Sequence, residues 1–113
     1  MKINLNEPPR KFQVGSDYKV TIKDCGSITL NPDEQITFTA KDGKEYDVLK
    51  KEWGYYATPS VNGRLKKFGY KTALVKNIEG MIYVMIVDKG KVNLFQEYIK
   101  NSNQKFLDWL DEK

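Results

Sequence analysis

The sequence contains no histidine and only one cysteine, Cys25. Histidine is the commonest general base and metal ligand near neutral pH, so its absence excludes histidine-based catalytic triads and the usual Cys/His zinc sites within this chain. A single cysteine cannot form an internal disulfide, which suits a reducing compartment. Cys25 lies between Asp24 and Gly26 in a predicted turn, so we interpret it as an incidental residue rather than a nucleophile.

Long apolar runs are also missing. The longest covers residues 81–87 and is too short to span a bilayer, and the first residues lack the apolar core of a signal peptide. We therefore expect a cytoplasmic protein without a membrane span. The 19 basic and 15 acidic residues are mixed along the chain and leave a net charge of +4, which is not the pattern of a nucleic-acid-binding tail.

The 113 residues are enough for one domain, and 40% of them are hydrophobic. In the first half, apolar and polar residues alternate in short segments separated by turn residues, which is typical of antiparallel strands. The alternating segments are 18–23, 28–30, 36–40 and 45–48, and the turns fall at 24–26, 31–34 and 42–43. We predict a small sandwich or a barrel-like arrangement, with Asp42-Gly43 as a two-residue hairpin turn. Residues 1–11, which include two prolines, are expected to be a flexible arm.

The second half mixes strand and helix patterns. Residues 70–76 alternate as a strand, whereas residues 81–87 are apolar throughout, so we expect the latter to be a central strand covered on both faces. Val92, Phe95 and Ile99 form a helical stripe, which predicts a helix over 91–101 packed on that strand.

Residues 105–110 fit either a final edge strand or a second helix, and we favour the strand. Together these patterns predict a single α+β domain over residues 1–113. It would have an antiparallel, strand-rich first half, a short crossover helix, a β-hairpin and one packed C-terminal helix.

The two halves are joined by the stretch WGYYATPSVNGRLKKFG, from Trp53 to Gly69. Proline disfavours helix in the residue before it, Ser60 can cap a helix, and Gly69 can end one in the left-handed conformation. These signals predict a helix of about two turns over residues 61–68.

This joining stretch also holds the candidate binding residues. Aromatic rings can stack on sugars or bases, and an arginine can grip an anion with two parallel hydrogen bonds. The candidates are Trp53, Tyr55, Tyr56, Ser60, Asn62, Arg64 and Lys67. Alternation places Trp53 and Tyr55 on one face and Tyr56 on the other, and we expect one of the three rings to be exposed. The simpler alternative is a capped connector helix with a solvated basic face.

Three segments of the sequence resemble those of known proteins. They are IKDCGSITLNPDEQITF, GKEYDV and WGYYATPSVNGRLKKFGYKTALVKN, and they resemble small uncharacterised bacterial proteins associated with surface-polysaccharide and nucleotide-sugar gene clusters. The similarity covers residues 12–112. It implies a bacterial cytoplasmic protein linked to sugar modification, and it assigns no catalytic residue.

The function that these observations predict is a non-catalytic binding or accessory protein without a cofactor or metal. Its partner would be another protein or an anionic sugar. One alternative is a carbohydrate-active enzyme that uses a carboxylate pair drawn from Asp24, Asp33, Glu34, Asp47 and Glu52. Another is weak binding of single-stranded nucleic acid by the lysines around residues 50–76, which the nearby acidic residues make the less favoured.

Overall fold

The computed structural model describes residues 1–15 and 18–113 and confirms the α+β class. Three antiparallel sheets carry one packed C-terminal helix. The elements are β1 (Lys2–Val14), β2 (Val20–Thr29), β3 (Gln35–Thr39), β4 (Glu45–Lys51), β5 (Gly54–Ala57), α1 (Arg64–Lys67), β6 (Tyr70–Lys76), β7 (Ile82–Asp88), α2 (Val92–Asn101) and β8 (Lys105–Trp109). None of the helices in these ranges is both long and apolar enough to cross a membrane.

The first sheet is a two-stranded ribbon of β1 and β2. Residues 1–11, expected as an arm, lie mostly in β1, because their register shifts between Leu5 and Arg10 and so accommodates the two prolines. Apolar residues meet across one face of the ribbon: Ile3 pairs with Ile28, and Phe12 with Ile22. All four remain substantially exposed.

The turn predicted at residues 24–26 is wrong. These residues continue β2, which therefore replaces two shorter predicted strands. Gly26 adopts a φ of +147° opposite Leu5, and a Cβ there would lie only 2.1 Å from the carbonyl oxygen of Asn4. The glycine permits a close backbone approach within the ribbon rather than a reversal of the chain.

The second sheet has the order β3-β4-β5. The hairpin predicted at Asp42-Gly43 is confirmed, but its loop has three residues rather than two. Ala40 donates its backbone N–H to Lys44 at 2.9 Å, and Gly43 donates to Ala40 at 2.9 Å. Gly43 takes a φ of +92°, which is the left-handed conformation of such a loop.

The third sheet has the order β7-β6-β8, so the central strand is β6. The expectation that residues 81–87 form the central strand is wrong: β7 is a strand as predicted, but it lies at an edge. The helix α2 packs against β7 and β8, and the core consists of Ala73, Val75, Val87 and Ile99. The final edge strand is confirmed as β8.

A buried carboxylate ties the end of the chain to β6. Asp111 is only 1% exposed, and its oxygens accept hydrogen bonds from the backbone N–H of Thr72 at 2.9 Å and from Lys71 Nζ at 2.8 Å. Burial alone would raise the pKa of Asp111, but its hydrogen bonds together with the charge of Lys71 outweigh burial and hold the pKa below its usual value. The ammonium of Lys71 also lies 4.5 Å from the centre of the Trp109 ring.

Candidate functional site

The aromatic candidates meet at the hairpin between β4 and β5. The two strands are joined by a two-residue turn, Glu52-Trp53, since Lys51 pairs with Gly54. Gly54 adopts a φ of +147°, which a residue with a side chain rarely adopts. Trp53 is the second residue of this turn and is 71% exposed.

Trp53 stacks on Tyr56. Their ring centroids are 5.8 Å apart and their planes are inclined by 10°. We call these two rings the aromatic pair. Since Tyr56 is also exposed, the aromatic pair presents two nearly parallel rings to solvent.

Tyr55 lies on the other face of the same sheet. It pairs with Lys50, whose Nζ lies 4.9 Å from the centre of the Tyr55 ring. The prediction that Trp53 and Tyr55 share a face is wrong, because Trp53 belongs to the turn and strand alternation does not apply to it. The prediction of a single exposed ring is also wrong, because all three rings are exposed.

Arg64 is already engaged by the protein. Its Nη1 lies 3.2 Å from Oδ2 of the buried Asp47, its Nη2 donates to Thr58 Oγ1 at 3.1 Å, and its guanidinium lies over the ring of Phe68. The side chain remains 46% exposed, so part of its donor set faces solvent. An anionic ligand would therefore meet an arginine that is already paired with a carboxylate.

The helix predicted over residues 61–68 is shorter than expected. Residues 61–63 form a turn, and α1 covers only Arg64–Lys67. Ser60 is not the N-cap residue that was predicted: Gly63 precedes α1 and makes no side-chain cap hydrogen bond. Ser60 Oγ instead accepts the backbone N–H of Arg64, four residues further on, at 3.2 Å. Gly69 follows the end of the helix with a φ of +92°, as predicted. A single turn of helix has almost no dipole to offer an anion, so α1 positions Arg64 rather than forming an anion site of its own.

The sheet register shows which candidates share a surface. Tyr56 pairs with Leu49. Two residues further along the chain, and therefore on the same face, Thr58 donates its backbone N–H to the backbone oxygen of Asp47 at 3.1 Å. The aromatic pair and Arg64 therefore lie on one face of the β3-β4-β5 sheet.

The remaining candidates lie apart from this face. Asn62 donates to the backbone oxygen of Lys113 at 3.3 Å, Ser60 Oγ accepts the backbone N–H of Arg64, and Lys67 is exposed on α1. The surface that sequence reasoning anticipated thus reduces to Trp53, Tyr56 and Arg64.

Comparison with known protein families, with curated proteins and with solved structures finds no match.

The acidic candidates do not converge. Asp24 pairs with Arg10 at 3.0 Å, Asp33 with Lys51 at 2.6 Å, and Asp47 with Arg64. Glu34 accepts the backbone N–H of Asn31 at 2.7 Å, which helps to lower its pKa, and Glu52 lies exposed in its turn. Acid–base catalysis by a carboxylate pair needs two of these groups to face one cavity, and Asp24, Asp33 and Asp47 are instead each held by a different basic residue.

The lysines and arginine that suggested nucleic acid are also largely paired. Arg64 and Lys51 each hold an aspartate, Lys71 holds Asp111, and Lys66 donates to the backbone oxygen of Asp111 at 3.3 Å. Lys50 lies on the face opposite to Lys51, because neighbouring residues of a strand point to opposite sides. These residues form no continuous basic track.

Sequence reasoning missed a groove between α2 and β7. It has a volume of about 640 Å³ and is lined by Tyr83, Met85, Tyr98 and Gln104, with Tyr18 packed edge-on against Tyr98 at 6.0 Å. The Gln104 side-chain oxygen is buried and has no hydrogen-bond partner within the described ranges. The lining residues come from segments that are distant in the sequence, so no local motif could predict the groove.

Within residues 1–15 and 18–113, no three side chains of the metal-ligating types lie together.

Proposed function

We propose that the protein is a non-catalytic binding or accessory protein of bacterial surface-polysaccharide or nucleotide-sugar metabolism, acting in the cytoplasm. The observation that supports binding is the aromatic pair of Trp53 and Tyr56, held in parallel on a sheet face and open to solvent. The metabolic context rests on the resemblance of the joining stretch and its neighbours to proteins of such gene clusters.

The ligand class follows from the shape of the aromatic pair. Flat apolar faces, such as those of a sugar ring or a nucleotide base, stack on exposed aromatic rings, and each stacked base contributes about 1–3 kcal/mol to binding. The ring contact therefore supplies most of the affinity, and a nucleotide sugar fits because it adds an anion on the Arg64 side.

Charge contributes less than the count of basic residues suggests. Arg64 shares its charge with Asp47, and Lys51 is paired with Asp33. We expect binding that changes little between low and moderate salt, in contrast to the steep salt dependence of nucleic-acid binding.

Amide and indole NMR spectra test this proposal. Nucleotide sugars and neutral oligosaccharides are titrated into the labelled protein, and the two indole N–H signals are followed. We expect the signal of Trp53 to shift while that of Trp109, which packs among Phe95 and Phe106, stays in place.

A matched pair of variants identifies the face. Trp53→Ala should weaken binding at least about fivefold, as loss of one stacked ring implies, whereas Tyr55→Ala on the opposite face should leave it unchanged. If no ligand of the panel moves the amides of residues 53–69, the small-ligand proposal is wrong, and a partner protein becomes the better explanation of this surface.

A further inference from the structure

The outer edge of β7 is an unpaired sheet edge with an apolar surface. In the part of the chain that the structure describes, β7 has a strand on one side only. Its side chains are nevertheless apolar from Ile82 to Val87, and Ile82 and Val84 are 60% and 62% exposed. We propose that this edge pairs antiparallel with β7 of a second copy, which makes one continuous sheet of six strands.

The backbone of β7 is arranged for such pairing. At the two ends of the β6–β7 ladder, Asn77 donates its N–H to Met81 and Lys89 donates to Gly69, both at 2.9 Å. Because hydrogen-bonded and non-hydrogen-bonded pairs alternate in an antiparallel ladder, the odd-numbered residues of β7 bond to β6. The N–H and C=O groups of Ile82, Val84 and Ile86 therefore point away from the sheet.

These three residues select one register. If Val84 lies opposite Val84 of the second copy, Ile82 faces Ile86 of that copy, and all the outward groups of the three residues pair. The exposed side chains of Ile82 and Val84 then pack across the two-fold axis on the face opposite to α2.

Charge supports the same antiparallel register. It brings the turn before β7, which carries Glu79, next to the helical turn after β7 of the second copy, which begins with Lys89, and the symmetry makes this approach twice. A parallel pairing would instead place like charges beside each other. The ends of the edge are thus complementary to a second copy of the same chain.

The other edge strand of this sheet, β8, has features that prevent edge-to-edge association. β8 carries Lys105 and Asp108, and its ladder with β6 has a register shift between Leu74 and Val75. Charges and irregular pairing are common means of preventing edge-to-edge association. β7 has neither device between Ile82 and Val87.

The solvent-exposed area of the chain is larger than a compact monomer needs, and the excess exceeds the area that one side of a standard interface buries. The chain exposes 8258 Å². A compact monomer of 13.1 kDa exposes roughly 6,400 Å², so roughly 1,900 Å² is in excess. A standard interface buries only about 800 Å² on each partner. The aromatic pair of Trp53 and Tyr56 lies on a different sheet, so this inference is independent of the proposed function.

Sedimentation equilibrium of the full chain from about 1 to 200 μM tests the inference, and we expect a reversible dimer. The first variant is Val84→Pro. It removes an N–H that points away from β6, a position at which an edge strand tolerates proline, so the fold should persist while the dimer is lost.

Charge exchange gives a test that does not depend on proline. Glu79→Lys and Lys89→Glu should each weaken self-association about tenfold, because each places two like-charge contacts in the dimer. When the two variants are mixed, opposite charges face each other again, and a mixed dimer should form as tightly as the wild type.

A matched control is Phe12→Ser on the apolar face of the ribbon, which should leave the dimer intact. A protein that stays monomeric up to 200 μM would overturn the inference. So would a dimer that survives Val84→Pro, or charge variants whose mixture associates no better than each alone.

Discussion

Replacement of Asp111 by asparagine should destabilise the sheet of β6, β7 and β8. Asparagine keeps the size of the side chain and can still accept the N–H of Thr72, but it removes the negative charge that holds Lys71. Hydrogen bonds to charged groups contribute about 1.5–3 kcal/mol each. Because Asp111 is almost fully buried, water cannot replace the lost partner, and we expect a loss of about 2–3 kcal/mol in the free energy of unfolding.

The assay is urea denaturation followed by the fluorescence of Trp109, in a Trp53→Phe background that leaves one reporter near the site. Asp108→Asn is the matched control. Its carboxylate pairs with Lys113 at 2.6 Å, but both side chains are exposed, so its loss should cost less than about 1 kcal/mol.

The pH dependence gives a second check. The pKa of Asp111 is lower in the folded than in the unfolded protein, so the carboxylate stabilises the fold above its unfolded pKa near 4. That contribution disappears as the pH falls from about 4 through the folded pKa. The difference between wild type and Asp111→Asn should therefore be full at pH 7 and shrink in the acid range. A difference as small as that of Asp108→Asn, or one that does not change with pH, would refute the role assigned to Asp111.

Three further predictions concern other parts of the fold. Gly43→Val should cost about 1 kcal/mol or more in unfolding free energy because of its φ of +92°, and Gly43→Asn less; equal denaturation midpoints for the two would contradict this account. Amide exchange should be slowest in β6, and in the monomeric Val84→Pro variant the outward amides of Ile82 and Ile86 should exchange much faster than those of β6; equal rates would place β7 inside the sheet. Arg64→Ala should lower the free energy of unfolding by about 1–3 kcal/mol because it removes the cation that pairs with Asp47, while Lys67→Ala should change it by less than about 0.5 kcal/mol. Equal denaturation midpoints for the two variants would rule this account out.

Several strands and turns of this protein were predictable because their signals are local. β6 spans the residues that alternation indicated, and Gly43 and Gly69 take the left-handed conformations that their positions demanded. Each of these features is decided by neighbouring residues in the sequence, through side-chain periodicity or backbone sterics.

The errors arose where distant residues decide. The run from 81 to 87 is apolar on both sides, which indicates that both faces of the strand are covered. The sequence pattern cannot say whether the covering residues belong to the same chain. The arm at residues 1–11 became a strand because β2 accepts its prolines through a shift of register. Proline alone suggests disorder, and the strand that pairs with residues 1–11 lies 12 or more residues away.

The location of the exposed rings was predictable, but the contacts around them were not. The exposed rings lie in the stretch that sequence composition indicated. The partner of Arg64, however, is Asp47, which belongs to a strand of the preceding sheet, so no local rule could show that its charge was already neutralised. The stack of Trp53 on Tyr56 likewise depends on the length of a turn, which alternation does not fix.

The β1–β2 ribbon has a consequence for how this molecule unfolds. Most contacts of each strand of the ribbon are with the other strand, and the strands are close in sequence. A two-stranded hairpin alone is marginally stable in water, so the ribbon can open without disturbing the sheet around β6. Heating should therefore produce two transitions rather than one, and the calorimetric enthalpy should differ from the van't Hoff value.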